Sequence, residues 1–339
     1  MRLPSPLHTA LLAALLSTAA HAATTAAPSQ VPQYRVDGSI AGPDGGWDYA
    51  RVDAAKHRLY VARAGSVTVV DLAPSHGVTS IGDVQRGHAV VPLTGGRLLV
   101  TSGTDSTVRF LDTADGHELA KVPVGKKPDA AILDAGGARA FVMNSDSGSV
   151  SVVDTAAMHV LRTIAVKPAL EYAALDGNTL FINDEDLNEI EVVDVAHGTT
   201  GKPIALTGCE GPTGLAYDAG HQRLIAACAN GKAAIVDTKT RKLVRLIDIG
   251  KGPDAVILDA QRGLAFIPCG SDGVLDIISL KSFTHVGRVK TEVGARTGAL
   301  DPETGDIYLP AAQFAPVAQA GGKRAPLPGS FHILVVKKV

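Results

Sequence analysis

Aromatic residues are scarce in this chain, with seven Phe, six Tyr and one Trp in 339 residues. Single-stranded nucleic acid is gripped by a platform of aromatic and basic side chains, which this composition hardly supplies, so that partner ranks behind the others. Charge of either sign is also lacking in excess, because 32 Lys and Arg face 34 Asp and Glu and the basic residues are scattered singly. A basic footprint for duplex nucleic acid or an anionic membrane is therefore absent. Cysteine is limited to Cys209, Cys228 and Cys269, in no C-x-x-C or C-x-x-C-H spacing. That excludes a paired zinc knuckle and covalently attached haem. No apolar run reaches the roughly 18 residues of a membrane span.

The first residues carry Arg2, the apolar stretch "ALLAALL" (Ala10 to Leu16) and the small-residue triplet "AHA" ending at Ala22. This is the pattern of a secretory signal peptide over residues 1–22, and it predicts a periplasmic or secreted protein. Residues 23–32 are expected to be a flexible lead-in, and residues 33–339 a single domain, since no Pro/Ser-rich seam divides them. A monomer is expected.

Within those residues the sequence repeats. An apolar or alternating strand ends in Asp at "VTVVD" (Asp71), "VRFLD" (Asp112), "VSVVD" (Asp154), "IEVVD" (Asp194) and "AAIVD" (Asp237), and Ser279 and Val336 hold that place in two further copies. Successive intervals are 41, 42, 40, 43, 42 and 57 residues, the last lengthened by an insertion, Ala311 to Gly329. A second marker, a hairpin aspartate, keeps step at Asp53, Asp134, Asp176, Asp218, Asp259 and Asp301, with Leu93 in the remaining slot. Each unit reads as four short strands rich in β-branched and aliphatic residues, which predicts an all-β, seven-bladed propeller of four antiparallel strands per blade. The seventh unit ends after its third strand while "QYRVDGSI" (Gln33 to Ile40) precedes the first, so the N-terminal strand should complete the last blade.

The phrases "KPDAAILD", "GSVSVVDTAAMHVLRTIAVKP" and "KGPDAVILD" resemble the YVTN-type repeat, and with "GGWDYARVDAAKHRLYV" and "CEGPTGLAYDAGHQRLIAAC" the chain after residue 22 resembles the YncE-like group of exported seven-bladed propellers. The resemblance implies a bacterial envelope or periplasmic setting and points to fold more than to chemistry. Single-stranded nucleic-acid binding enters the field by this resemblance alone. Quinoprotein propellers repeat a Trp-bearing blade motif, so one Trp argues against pyrroloquinoline quinone (PQQ).

The strand-ending and hairpin aspartates are explained by turn chemistry, in which Asp accepts nearby backbone N–H groups. A different set emerges five residues before each hairpin aspartate: Asp48, His88, Asp129, Glu171, Thr213, Asp254 and Arg296. One per blade, at the start of the channel-lining strand, they should form a ring at one channel mouth. The ring can be read as a self-paired network with Arg296 bonded to Asp48 or Asp254, or as a pocket for a small polar ligand or a protein partner. A third reading is a divalent metal site built from Asp48, His88, Asp129, Glu171 and Asp254. Trp47 and Tyr49 flank Asp48 and could stack on a ligand. Loops after the second strands should bring Arg63, Asn144, Asn183, Glu185 and Asn230 to the same face, and the insertion is either a lid or an idle surface loop.

Cys209 and Cys228 bracket the first hairpin of the fifth unit, which predicts a disulfide between them; Cys269, one blade on in the register of Cys228, is the competitor and otherwise a buried free thiol. The leading functional expectation is an exported binding or interaction protein. The alternative is a metal-dependent hydrolase of the lactonase or esterase kind, with a ring carboxylate or His88 as base.

Overall fold

The computed structural model describes residues 33–315 and 325–339. The signal-peptide and lead-in expectations for residues 1–32 lie outside the described residues, as does the middle of the insertion.

Seven antiparallel sheets form from these residues, each four strands wide along its main path. Blades 1 to 7 take their inner strands from Trp47–Asp53, Gly87–Leu93, Pro128–Leu133, Leu170–Asp176, Pro212–Asp218, Ile257–Asp259 and Ala299–Leu300. Neighbouring inner strands touch all the way round, from blade 1 to blade 7 and back to blade 1. In blade 7 the order from inside out is Ala299–Leu300, Ile307–Ala311, His332–Lys338 and finally Tyr34–Ala41. The N-terminal strand thus supplies the outer edge of the last blade, and Tyr34 packs edge-on against Phe266 of blade 6, with ring centroids 5.0 Å apart. The outer edge of blade 4 is split into Thr199–Thr200 and Ile204–Ala205, on either side of a stretch containing Pro203, which has no N–H to give to a ladder.

Burial follows strand position. Second strands such as Arg139–Asn144 are buried along almost their whole length, because both faces are covered by adjacent blades, whereas outer strands such as Lys242–Asp248 are mostly exposed. The scarce aromatics are spent where they fill most space: Tyr60, Phe141, Phe181, Phe266 and Tyr308 occupy the middle of second strands and are almost completely buried. Each such ring buries roughly 150–250 Å², and five of the seven blades carry one, with Leu99 and Ile225 in that place in blades 2 and 5.

The turn aspartates behave as turn chemistry requires. Asp154 accepts from the amides of Ala156 and Ala157, Asp194 from Ala196 and His197, and Asp237 from Thr240, while Asp53 accepts from Lys56 and Asp301 from Glu303. These backbone donors hold Asp154, Asp194 and Asp237 below the usual carboxylate range.

Cys209 and Cys228 are joined in a disulfide with Cα atoms 5.4 Å apart and a sequence separation of 19. Cys269 is a buried free cysteine; burial pushes its thiol up, and Asp276 beside it adds to the effect. Closing a loop of that length in the unfolded chain is worth about 2–4 kcal/mol. Reduction, or the Cys209→Ser/Cys228→Ser double variant, is expected to lower stability by that amount in urea titration, and an unchanged midpoint would reject the assignment.

Candidate metal centre at the channel mouth

The inner strands share an irregularity that sets the site. In blade 1, Trp47 pairs with Arg63 but Ala50 pairs with Val61, so Asp48 and Tyr49 together face Ala62. The same one-residue surplus places His88 with Ala89, Asp129 with Ala130, Glu171 with Tyr172 and Thr213 with Gly214 opposite single partners. In blade 6 it falls between Pro253 and Ile257, around Asp254. A β-bulge of this kind bends its strand and re-aims the side chains at the extra residue. Here six blades carry the bulge at the ring position. Entry into the bulge is also repeated: the residue two before the ring position has a left-handed backbone at Arg86, Lys127, Ala169, Gly211, Gly252 and Gly294. Glycine takes that conformation at no steric cost, and Arg86, Lys127 and Ala169 adopt it as non-glycine residues.

Asp48, His88 and Asp129 converge. His88 Nδ1 lies 2.7 Å from Asp48 Oδ2 and 3.7 Å from Asp129 Oδ1, and the three side chains are only 9–14% exposed. One donor atom from each lies within 4.8 Å of the others, a grouping able to hold a metal ion. The ring is oriented by its surroundings: a Cβ added at Gly103 would come within 3.0 Å of His88 Cδ2 and Nε2, so Gly103 makes room for the imidazole edge. Nε2 is buried without a partner, leaving Nδ1 as the nitrogen that faces both carboxylates.

Across the mouth Arg296 Nε bonds Asp254 Oδ2 at 2.8 Å, and Lys127 Nζ stands 4.0 Å from Asp129 Oδ2. Self-pairing therefore joins Asp254 to Arg296 on one side of the mouth and His88 to Asp48 on the other, with Lys127 beside Asp129. Glu171 is bonded to none of these. Burial, reinforced by Asp129, Asp254 and Glu185, pushes its carboxyl up to about 10. Burial likewise raises Asp254 to about 7, with Asp48 adding and Arg296 opposing, and raises Asp129 to about 6, with His88 opposing and Asp48 adding. For His88 burial disfavours the charged ring, but the Asp48 hydrogen bond and the charges of Asp129 and Asp48 outweigh it and leave the pKa raised. Three ring carboxylates, Asp129, Glu171 and Asp254, are thus held above the usual carboxylate range by burial and by one another's charge, a state that a cation would relieve.

Several predicted contact residues are engaged elsewhere. Thr213 donates its hydroxyl to the Pro253 carbonyl at 2.9 Å, locking blade 5 to blade 6. Asn183 donates to the carbonyls of Thr213 and Gly214, Thr101 to that of Asp129, and Thr297 to that of Asp48. These side chains satisfy backbone oxygens that the bulges free from the ladder, a structural use which the sequence reading of Thr213 and Asn183 missed. Arg63 and Asn144 end second strands instead of standing in loops, and both are buried. Arg63 donates to the carbonyls of Pro43, Gly45 and Gly46 and lies 3.8 Å over the Phe331 ring; Asn144 donates to Ser149 and Ser151. Asn230 is bonded to Gly208 and Glu210, in the segment leading into the inner strand of its own blade. Trp47 packs on Phe314 and Phe331 of blade 7, and Tyr49 reaches inward to Tyr172, with ring centroids 4.9 Å apart.

Arg86, Lys127 and Tyr172 enter as mouth residues that the ring register alone did not select. The signal for Lys127 was present in the repeated phrases, where "GKKPD" has Lys at the place that "GKGPD" gives to Gly252. A second acidic group, Asp184, Glu189 and Glu191, also has metal-ligand spacing, but the Lys167 ammonium is bonded to Glu189 and Glu191, the latter at 2.7 Å, and supplies its positive charge.

No helix among the described residues is long and apolar enough to cross a membrane. No protein-family model matches the chain, and no curated protein matches it. Among solved structures it is similar to a chain of "Kuenenia stuttgartiensis Hydrazine Synthase", with TM-score 0.69 and 18% identity over 80% of this chain and 92% of that one, a likeness that shows the propeller fold alone.

Proposed function

We propose that this chain is an exported propeller of the YncE-like kind that holds a divalent cation between Asp48, His88 Nδ1 and Asp129, and that it hydrolyses an ester or lactone at the channel mouth. The observation that carries the reading is the convergence of those three buried donors, one from each of blades 1 to 3. Two carboxylates and one imidazole suit a borderline or hard ion such as Mn²⁺ or Zn²⁺. A cation there would polarise a substrate carbonyl and lower the pKa of water.

The protein's own groups have complementary tasks. The proton shared by His88 and Asp48 stands where a cation would bind, so binding displaces it. Glu171, protonated at neutral pH, would give a proton to a departing oxygen, and Lys127 and Arg86 would supply positive charge at the rim for an acidic substrate. Selection of a polar organic ligand by the ring and its flanking residues is the weaker reading, because Thr213, Asn183, Arg63 and Asn144 have their donors engaged within the fold.

The test is calorimetric titration of the EDTA-stripped protein with Mn²⁺ and Zn²⁺, followed by hydrolysis assays on aryl esters and γ-lactones. One ion per chain, with a rate that EDTA removes and the ion restores, is expected. Absence of uptake by the wild-type protein would overturn the proposal.

A further inference from the structure

The channel does not run open from face to face. Tyr49 and Tyr172 meet across it just inside the carboxylate ring, and beyond this floor a separate cavity of about 610 Å³ opens toward the hairpin turns on the other side of the disc. Its volume falls in the range of sites that enclose a small molecule, ~300–1,000 Å³. The wall is apolar, with Leu133, Leu175, Val256, Leu258 and Leu300 contributed by four blades, and its one charged lining residue is Arg51. Arg51 stands two residues above the Tyr49 floor and two below the turn at Asp53. Its guanidinium lies 5.5 Å from the Tyr172 ring centroid and has no acidic partner among the described residues. Aspartates at the turns do not supply one, because Asp134 is paired with Arg139, Asp259 with Arg262 and Asp218 with His221, while Asp53 accepts from the Lys56 amide.

A cation in an apolar wall without a counter-charge costs solvation, and an anion that brings its own apolar surface repays it. We infer that this second cavity is a binding site for a free anionic amphiphile, an aliphatic carboxylate whose headgroup bonds Arg51 and whose chain lies along the leucine and valine wall. The site is independent of the cation site, which lies beyond the tyrosine floor. A headgroup fixed in a bilayer would not reach Arg51 below the turns, so the ligand is a soluble acid.

Decanoate and decanol are the probes, titrated calorimetrically into the full chain. Decanoate is expected to bind wild type and to bind Arg51→Gln at least about tenfold more weakly, the loss of one charge-assisted bond, while decanol binds both alike. Val256→Trp, which fills the cavity, should weaken both probes, and His88→Ala neither. Equal affinity of decanoate for wild type and Arg51→Gln, or no binding of decanoate to wild type, overturns the inference. Adsorption to phosphatidylglycerol vesicles in place of decanoate binding would do the same. Should Arg51→Gln not fold, phenylglyoxal modification of wild-type Arg51 decides: decanoate protects it if the site is real, and failure to protect refutes it.

Discussion

Replacing His88 by alanine is expected to lower Mn²⁺ affinity by more than about 100-fold, beyond the 10- to 100-fold loss typical when a mere supporting partner of a metal ligand is removed. The argument rests on geometry. His88 Nδ1 approaches both Asp48 and Asp129, and without it two carboxylates from blades 1 and 3 lose the group that bridges them. Asp129→Asn should produce a loss of the same order while retaining shape. Thr213→Val serves as the control, because its hydroxyl bonds a backbone carbonyl of the next blade and contributes nothing to the ion; it should cost stability and leave affinity within threefold. Calorimetry on the three variants, with circular dichroism to verify folding, separates these outcomes. If His88→Ala binds Mn²⁺ like wild type, the ion is held elsewhere.

In the absence of cation, thermal stability is expected to fall as pH rises from about 4.5 to 8. Asp129, Asp254 and Glu171 have raised pKa values in the folded chain, so between their unfolded and folded values the native state holds protons that the unfolded state has released. Native stability is then present at low pH and is lost as pH climbs through the folded values. For Asp129 alone, raised from 3.8 to about 6, the change between pH 4 and pH 7 is on the order of 3 kcal/mol. Below pH 4 the sign reverses. The turn carboxylates of Asp154, Asp194 and Asp237 have lowered values, and the stability they contribute disappears as they protonate. The maximum should therefore lie near pH 4–5 in EDTA. Saturating Mn²⁺ should move it toward neutrality, since an ion at 100 times its Kd adds about 2.7 kcal/mol to the native state. Glu171→Gln should flatten the alkaline part of the curve and raise the melting temperature at pH 8. Differential scanning calorimetry from pH 3.5 to 8.5 would show this, and a flat curve in EDTA, unchanged by Glu171→Gln, would reject it.

The fold was legible because strand-ending aspartates recur at nearly constant spacing, and a turn that needs a side-chain acceptor leaves the same letter in each unit. Placement of the ring residues at one mouth followed from the same register, since a fixed offset from a repeated turn is a fixed height along a repeated strand. The bulge was not legible. Alternation predicts that Asp48 and Tyr49 point to opposite faces of the sheet, and only the pairing of Trp47 with Arg63 and Ala50 with Val61 shows that both share one partner. That in turn hid the roles of Thr213, Asn183 and Thr297, whose hydrogen bonds exist because a bulge frees a carbonyl on the next blade. Tyr172 was hidden for the same reason. Arg63 and Asn144 looked like loop residues because polar letters at the end of a strand mark a turn, whereas here they reach into buried hydrogen-bond networks.

The strap formed by Tyr34–Ala41 on the edge of blade 7 makes the order of events in folding unusual for a repeat protein. Six blades are local in sequence and can assemble as the chain is delivered, but the seventh joins residues as far apart as Tyr34 and Lys338, near the two ends of the described chain. Its pairing waits until the last strand arrives, and loop closure on that scale is slow. Until then the disc is an open arc whose blades 1 and 7 are not yet in contact. Deleting the last strand therefore removes the clasp as well as one strand, and leaves Tyr34–Ala41 with no edge to pair.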